Sequence, residues 1–351
     1  MLLEHACEWL GWPPPQNILE PKGEGAAVAA RSAEQKIGKP LERAFPGLVV
    51  ETGILTPDPL GPGTAAPLAV ICQFPSGAQP EALQEAHRLA WNFSRTALLV
   101  TLEPHRLMAW SCFQDPGQTE DLRRVCELAT PAGEPPSGTP EQRQIRELLH
   151  WVSLITGNFL RRREKHFPAD GRADALLLKN LKYVRRQLIL SGLNRDVCHD
   201  LLARIIFTQF LFHRKDSAGN PFFSKSLLAG RCGGSLRRVH SGFESVLRDK
   251  DETYSLFQWL DDRFNGDLFP GTENQTDEER RVAWQAEKDA VEPSHLELLA
   301  DLVSGTIDTA DRQLRLWPKY SFDTIPLEFI SSVYEEFLAE DRGARFLGSA
   351  N

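Results

Sequence analysis

Leu68-Ala69-Val70-Ile71-Cys72-Gln73-Phe74 sets the architecture expected of the N-terminal residues. It is almost wholly apolar and follows the Pro- and Gly-dense segment Thr56 to Pro67. An apolar run this short, framed by breakers, fits a strand covered on both faces better than a helix. Upstream, Leu48 to Leu55 reads as another strand and Ala26 to Phe45 as a helix. Downstream, Pro80 to Phe93 sets Leu83, Ala86, Leu89, Ala90 and Phe93 on one helical stripe. Ala97 to Leu102 and Arg106 to Phe113 read as strands joined at Glu103-Pro104-His105. Trp91, Phe93 and Trp110 are expected in the core. Residues 1–130 therefore read as a small mixed α/β domain.

Pro131-Ala132-Gly133-Glu134-Pro135-Pro136-Ser137-Gly138-Thr139-Pro140 cannot form a regular element, so residues 131–141 read as a linker. Residues 142–351 read as an all-helical domain, which makes the fold class α+β. Glu141 to Phe159, Asp174 to Leu190, Asp196 to Phe212 and Pro293 to Val303 carry helical periodicity. A last helix is expected from a cap at Asp323 or Thr324 through Leu338, with Pro326 in its first turn. Gly230-Arg231-Cys232-Gly233-Gly234-Ser235 lacks phosphate-loop spacing and reads as a hinge or turn. Thr272 to Glu279 reads as a surface loop. Asn220-Pro221-Phe222-Phe223 reads as a turn before a helix.

Composition is that of a globular protein: 351 residues, 41% hydrophobic and 25% charged. No apolar run reaches the roughly 18 residues of a membrane helix, and the first residues lack a signal peptide's pattern. A cytoplasmic protein with no membrane partner is expected. The six cysteines are scattered without a CxxC pair, which points to reduced thiols and no zinc site. There is no GxSxG and no HExxH. His87, His199 and His213 fall on helical patterns and read as surface or satisfied core residues.

Charge is unevenly spread. Residues 1–160 carry −6, residues 161–250 carry +11 and residues 251–351 carry −13, giving the net −8. The basic middle singles out Arg161, Arg162, Arg163, Lys165, Lys179, Lys182, Arg185, Arg186, Arg237 and Arg238 as candidates for nucleic-acid binding. The other reading is a solvated helical face that packs against the acidic segments, and composition does not choose between them.

Two further strings carry a resemblance. Leu260-Asp261-Asp262-Arg263-Phe264-Asn265-Gly266-Asp267-Leu268-Phe269-Pro270 is followed about fifty residues later by Tyr320-Ser321-Phe322-Asp323-Thr324-Ile325-Pro326-Leu327-Glu328-Phe329-Ile330. Asn265-Gly266 is a turn signal, with Phe264, Leu268 and Phe269 as anchors. The pair resembles the segment preceding the catalytic domain in single-chain adenine-specific DNA methyltransferases of restriction-modification systems and their phage-defence relatives. That resemblance implies S-adenosylmethionine in a glycine-rich turn and a flipped adenine in an Asn-Pro-Pro-Tyr-type loop. No such loop occurs in the 351 residues, and Phe346-Leu347-Gly348-Ser349-Ala350 reads as a tail. The expectation is a non-catalytic N-terminal part or subunit, with the cofactor belonging to a methyltransferase domain beyond these residues.

The element order of residues 25–113 resembles the nuclease-like domain of restriction enzymes. Active members hold Mg²⁺ between a Pro-Asp acid and an acid-x-Lys triad. Pro57-Asp58 stands at a suitable distance, which leaves Asp58 as the catalytic candidate, but the triad positions fall on Cys72 and Phe74. A degenerate nuclease-like domain with no metal is the resulting expectation. Three functions stay open: a DNA-contacting part of the methyltransferase, a Mg²⁺-dependent DNA endonuclease, and a protein-interaction module in a defence complex. The expected partners are DNA and a methyltransferase domain or another defence-system subunit.

Overall fold

The computed structural model describes residues 3–61, 66–129, 139–214, 221, 223–264, 268–270, 276–309, 312–314, 320–322 and 325. It is mixed α/β and divides into two units, Met1–Leu176 and Leu177–Asn351.

The first unit opens with α1 (Leu3–Leu10), α2 (Pro15–Leu19) and α3 (Glu24–Ala33). A π-helical stretch, Glu34–Gly38, continues α3 into α4 (Lys39–Ala44). Pro40 explains the widened turn, since it has no N–H for the Lys36 carbonyl and its ring crowds that oxygen. Gly38 lets this helical run press on the next strand, because a Cβ there would lie 2.4 Å from Thr52 Oγ1. Then follow β1 (Glu51–Leu55), β2 (Ala69–Gln73), α5 (Pro80–Phe93), β3 (Leu98–Glu103), β4 (Arg106–Ser111), α6 (Glu120–Arg123) and β5 (Arg124–Ala129). Beyond the proline-rich segment come α7 (Pro140–Leu149), α8 (Trp151–Ile155) and α9 (Asn158–Arg162).

The five strands form one sheet in sequential order. β2 and β3 run parallel, with α5 as the crossover that parallel pairing requires, and all other neighbours are antiparallel. β2 alternates between two apolar layers. Ala69 and Ile71 join Leu98, Val100, Leu10 and Leu149, while Val70, Cys72 and Phe74 join Ile37, Leu41, Leu83 and Ala90. The strand is thus covered on both faces, as its unbroken apolar run implies. Trp91, Phe93 and Trp110 are core residues.

The helices after the proline-rich segment belong to this unit. Leu148, Leu149, Leu154 and Phe159 complete one apolar layer of the sheet. Trp12 Nε1 donates to the Leu149 carbonyl at 2.8 Å, and Trp91 Nε1 to the Gly171 carbonyl at 2.9 Å. Ser111 Oγ donates to the His166 carbonyl at 2.5 Å. The compact unit therefore runs past residues 131–141, where composition suggested a boundary; residues 130–138 lie outside the described residues. The single helix expected over Glu141 to Phe159 is broken twice, by extended backbone at His150 and by left-handed Gly157 (φ +70°).

The second unit begins within α10 (Ala173–Leu190) and continues with α11 (Arg195–His213), α12 (Lys225–Ala229) and α13 (Arg231–Gly234). α13 is one irregular turn in which Arg231, Cys232, Gly233 and Gly234 all take positive φ. It bears out the turn read at Gly230 to Ser235. Then come α14 (Phe243–Leu247), α15 (Lys250–Phe264), α16 (Asp277–Ala290) and α17 (Pro293–Ser304). The unit is not wholly helical: β6 (Ile307–Thr309) pairs antiparallel with β7 (Arg312–Leu314). Strands of three residues are too short to display a period-2 pattern. Of the loop expected over Thr272 to Glu279, residues 272–275 lie outside the described residues; the Thr276 hydroxyl accepts from the Glu279 amide while Glu279 bonds back to the Thr276 N–H. This reciprocal cap starts α16. Of the helix expected from Asp323 to Leu338, all but Ile325 lies outside the described residues, as do Asn220, Phe222 and Asn265-Gly266.

Arg204 lies at the heart of the second unit with 1% of its side chain exposed. Its guanidinium forks onto Glu287, with Nη1 to Oε1 at 2.5 Å and Nη2 to Oε2 at 2.8 Å. Nε donates to the Leu268 carbonyl at 2.6 Å. Phe257, Phe269 and Trp284 surround the ion at 5.6, 5.7 and 5.9 Å from its centre. Tyr254 donates its hydroxyl to Glu287 Oε1 at 3.1 Å, and burial beside that carboxylate holds the phenol well above its usual pKa. Arg204→Met strands Glu287 in the core and should cost about 3–5 kcal/mol in urea denaturation. Arg204→Met combined with Glu287→Met should cost much less. Equal losses for the two proteins would contradict this account of the pair.

Candidate nucleic-acid interface

The structure sorts the ten nominated cations by what surrounds them. In the first unit, Arg161 and Arg162 end α9, and Lys165 sits in the 3-10 turn Glu164–His166 that follows. All three are exposed and form no ion pair with a described residue. Arg163 differs: it is half-buried, and its Nε is enclosed without a hydrogen-bond partner among the described residues.

In the second unit, α10 carries Lys179, Lys182 and Arg186 at helical spacing. Lys179 and Arg186 are exposed and have no acidic partner among the described residues, while Lys182 is half-buried. Arg185 turns inward, donating from Nε to His199 Nε2 at 2.7 Å. It is a packing residue here, and that bond satisfies His199, which lies in the core as read.

Arg237 and Arg238 serve the fold through their backbone. Both amides donate to the Glu252 carboxylate, at 3.0 and 3.3 Å, and His240 Nε2 meets it at 3.1 Å. Burial alone would raise the Glu252 pKa, but these bonds outweigh it and hold the carboxyl below its ordinary value. The two side chains extend into solvent, 78% and 76% exposed, and reach towards Asp251 at 3.9 Å and Asp249 at 3.3 Å. Each of these two guanidinium groups thus has a carboxylate within ion-pair reach.

Residues that composition did not nominate join the first group. Arg143 and Arg146 of α7 line a cleft of about 900 Å³ together with Arg161. Their i, i+3 spacing on a helix was the available signal. Its meaning depended on α7 and α9 packing side by side.

Asp58, Cys72 and Phe74 occupy the positions that the nuclease-like resemblance marks. Asp58 is exposed and closes a turn, accepting from the Gly61 amide at 2.8 Å. Cys72 and Phe74 are fully buried in the apolar layer, where burial pushes the Cys72 thiol up to about 12. A phenyl ring offers no donor and a neutral buried thiol is a poor one, so these positions do not fit Mg²⁺. All six cysteines are buried and outside any disulfide. His87 is a core residue bonded to the Ser111 carbonyl at 2.8 Å, and burial lowers its pKa to about 4.

Among the described residues, no helix is long and apolar enough to cross a membrane. No protein family, curated protein or solved structure matches this chain.

Among the described residues, Asp200 is the one carboxylate whose titration moves towards neutrality. Burial, with Glu287 and Asp196 nearby, raises it from 3.8 to about 6 despite Arg204. A raised carboxyl penalises the native state only when ionised, so the penalty is absent below pH 3.8 and complete above about pH 6. Asp200→Asn should therefore stabilise the protein at pH 7 by on the order of 1 kcal/mol, given partial solvent screening. The gain should vanish by about pH 4. Urea midpoints at the two pH values measure it, and an equal effect at both would refute it.

Proposed function

We propose that this chain is a non-catalytic, DNA-contacting part of an adenine-specific DNA methyltransferase of a restriction-modification or phage-defence system. In this reading the sheet unit is nuclease-like without a metal site, and the helical unit is the connector that precedes the methyltransferase domain. One observation carries the DNA contact. In a chain of net charge −8, Arg161, Arg162, Lys165, Lys179 and Arg186 point outward without an acidic partner among the described residues. An acidic protein could neutralise such cations internally. Leaving them uncommitted suits a polyanion, whose bound counterions are released on contact. Phosphate contacts of this kind position a protein on DNA without reading its sequence.

A partner-chain role is the second reading. Val152, Ile155 and Leu160 of α8 and α9 are 54%, 43% and 37% exposed, an apolar group next to Arg161. Such a group fits contact with another protein subunit.

Fluorescence anisotropy with a duplex at several salt concentrations tests the DNA reading. Reversing Arg161, Arg162 and Lys165 to Glu should weaken binding and flatten the log K against log salt slope by about 3, near 0.9 per lost phosphate contact. Arg237→Glu with Arg238→Glu should leave the slope nearly unchanged. Equal effects from both sets would remove the support for the assignment. Magnesium-dependent cutting abolished by Asp58→Ala would replace it with the endonuclease reading.

A further inference from the structure

The cleft beside Arg161 offers more than a strand of phosphodiesters requires. It lies between α1, α7, α8 and α9 and brings Arg143, Arg146 and Arg161 to one opening. None of the three is ion-paired to a described residue. Arg146 is oriented in advance: Nε donates to the Trp9 carbonyl at 3.1 Å, which fixes the guanidinium plane and leaves both Nη groups uncommitted. A planar fork held this way matches two oxygens of one phosphate.

Four further side chains make this a built site. Ser153 lines the cleft, and its Oγ is buried with no hydrogen-bond partner among the described residues. An enclosed hydroxyl left unsatisfied costs about 1–3 kcal/mol, which a ligand oxygen would recover. His150 accepts the Val152 amide on Nδ1 at 3.3 Å, so in the neutral ring Nε2 carries the proton and is a donor. Its ring is seated against Gly11, where φ is +65° and a Cβ would come within 3.0 Å of His150 Nε2. Glu8 and Glu147 share the lining. These carboxylates supply acceptors for a sugar hydroxyl or a base amine.

We propose that this cleft binds the terminal monoester phosphate of a nucleotide, either free or at the 5′ end of a DNA strand. The arginines grip the dianionic phosphate, while the carboxylates at the rim take the nucleoside's donors. The DNA-end source rests on the DNA-contacting reading given above; the free-nucleotide source does not.

The test compares a 5′-phosphorylated single-stranded oligonucleotide, the same strand with a 5′-hydroxyl, and adenosine monophosphate, each titrated into the full chain. A preference of about tenfold or more for the phosphorylated end is expected, the worth of one charge-assisted fork. Arg143→Gln and Ser153→Ala should abolish that preference. Both are small changes at the cleft, and thermal denaturation verifies that the variants fold. Arg237→Glu with Arg238→Glu should leave it intact. Capture of the monophosphate without an end preference would support the free-nucleotide source. Salt-dependent duplex binding with neither end preference nor monophosphate capture would overturn this inference and leave the DNA reading standing. Monophosphate capture with no salt-dependent DNA binding would do the reverse.

Discussion

A guanidinium cannot sit unpaired in a helical core, and Arg204 meets that constraint by recruiting its surroundings. The fork to Glu287 ties α11 to α16, the Leu268 carbonyl takes the remaining Nε proton, and Tyr254 of α15 completes the Glu287 shell. The aromatic rings around it keep water out and also interact with the cation. Removing either partner would expose the full desolvation penalty of the other, so three helices and a loop are held to one arrangement. The sheet unit obeys the same rule with neutral groups. Its indoles and the Ser111 hydroxyl find carbonyls at Leu149, Gly171 and His166, far along the chain.

α11 is where the two resemblance-bearing strings acquire a physical meaning. Arg204 holds the Leu268 carbonyl, while Phe269 stacks on Trp284 at 6.2 Å. At the end of the same helix, His213 Nδ1 accepts the Phe322 amide at 3.0 Å. Asn180 of α10 donates to the Tyr320 hydroxyl at 3.2 Å. Both strings therefore serve as anchors that fix loops to the helical unit.

The charged residues show why composition alone separates roles poorly. Arg185, Arg237 and Arg161 look alike in the sequence. One bonds a histidine, one uses its backbone to cap a buried carboxylate, and one faces an open cleft. A net charge over a window cannot register these differences, because each depends on which neighbour lies within about 4 Å, the reach of an ion pair.

Elements with a local cause were legible in the amino-acid order. The apolar run Leu68 to Phe74 fitted a doubly covered strand better than a helix, Pro80 to Phe93 carried its own stripe, and Asp196 to Phe212 carried helical periodicity. The sequence was silent where the cause is distant. β5 is interrupted by charge, so it shows no strand pattern of its own and forms by pairing with β4. α7, α8 and α9 follow a proline-rich segment yet complete the sheet's apolar layer. The cleft likewise gathers Trp9 from α1 with Arg143, Arg146 and Arg161 from α7 and α9. Tertiary structure alone decided these features, because burial and hydrogen-bond satisfaction are properties of neighbours in space, and sequence periodicity encodes only which face an element wants to hide.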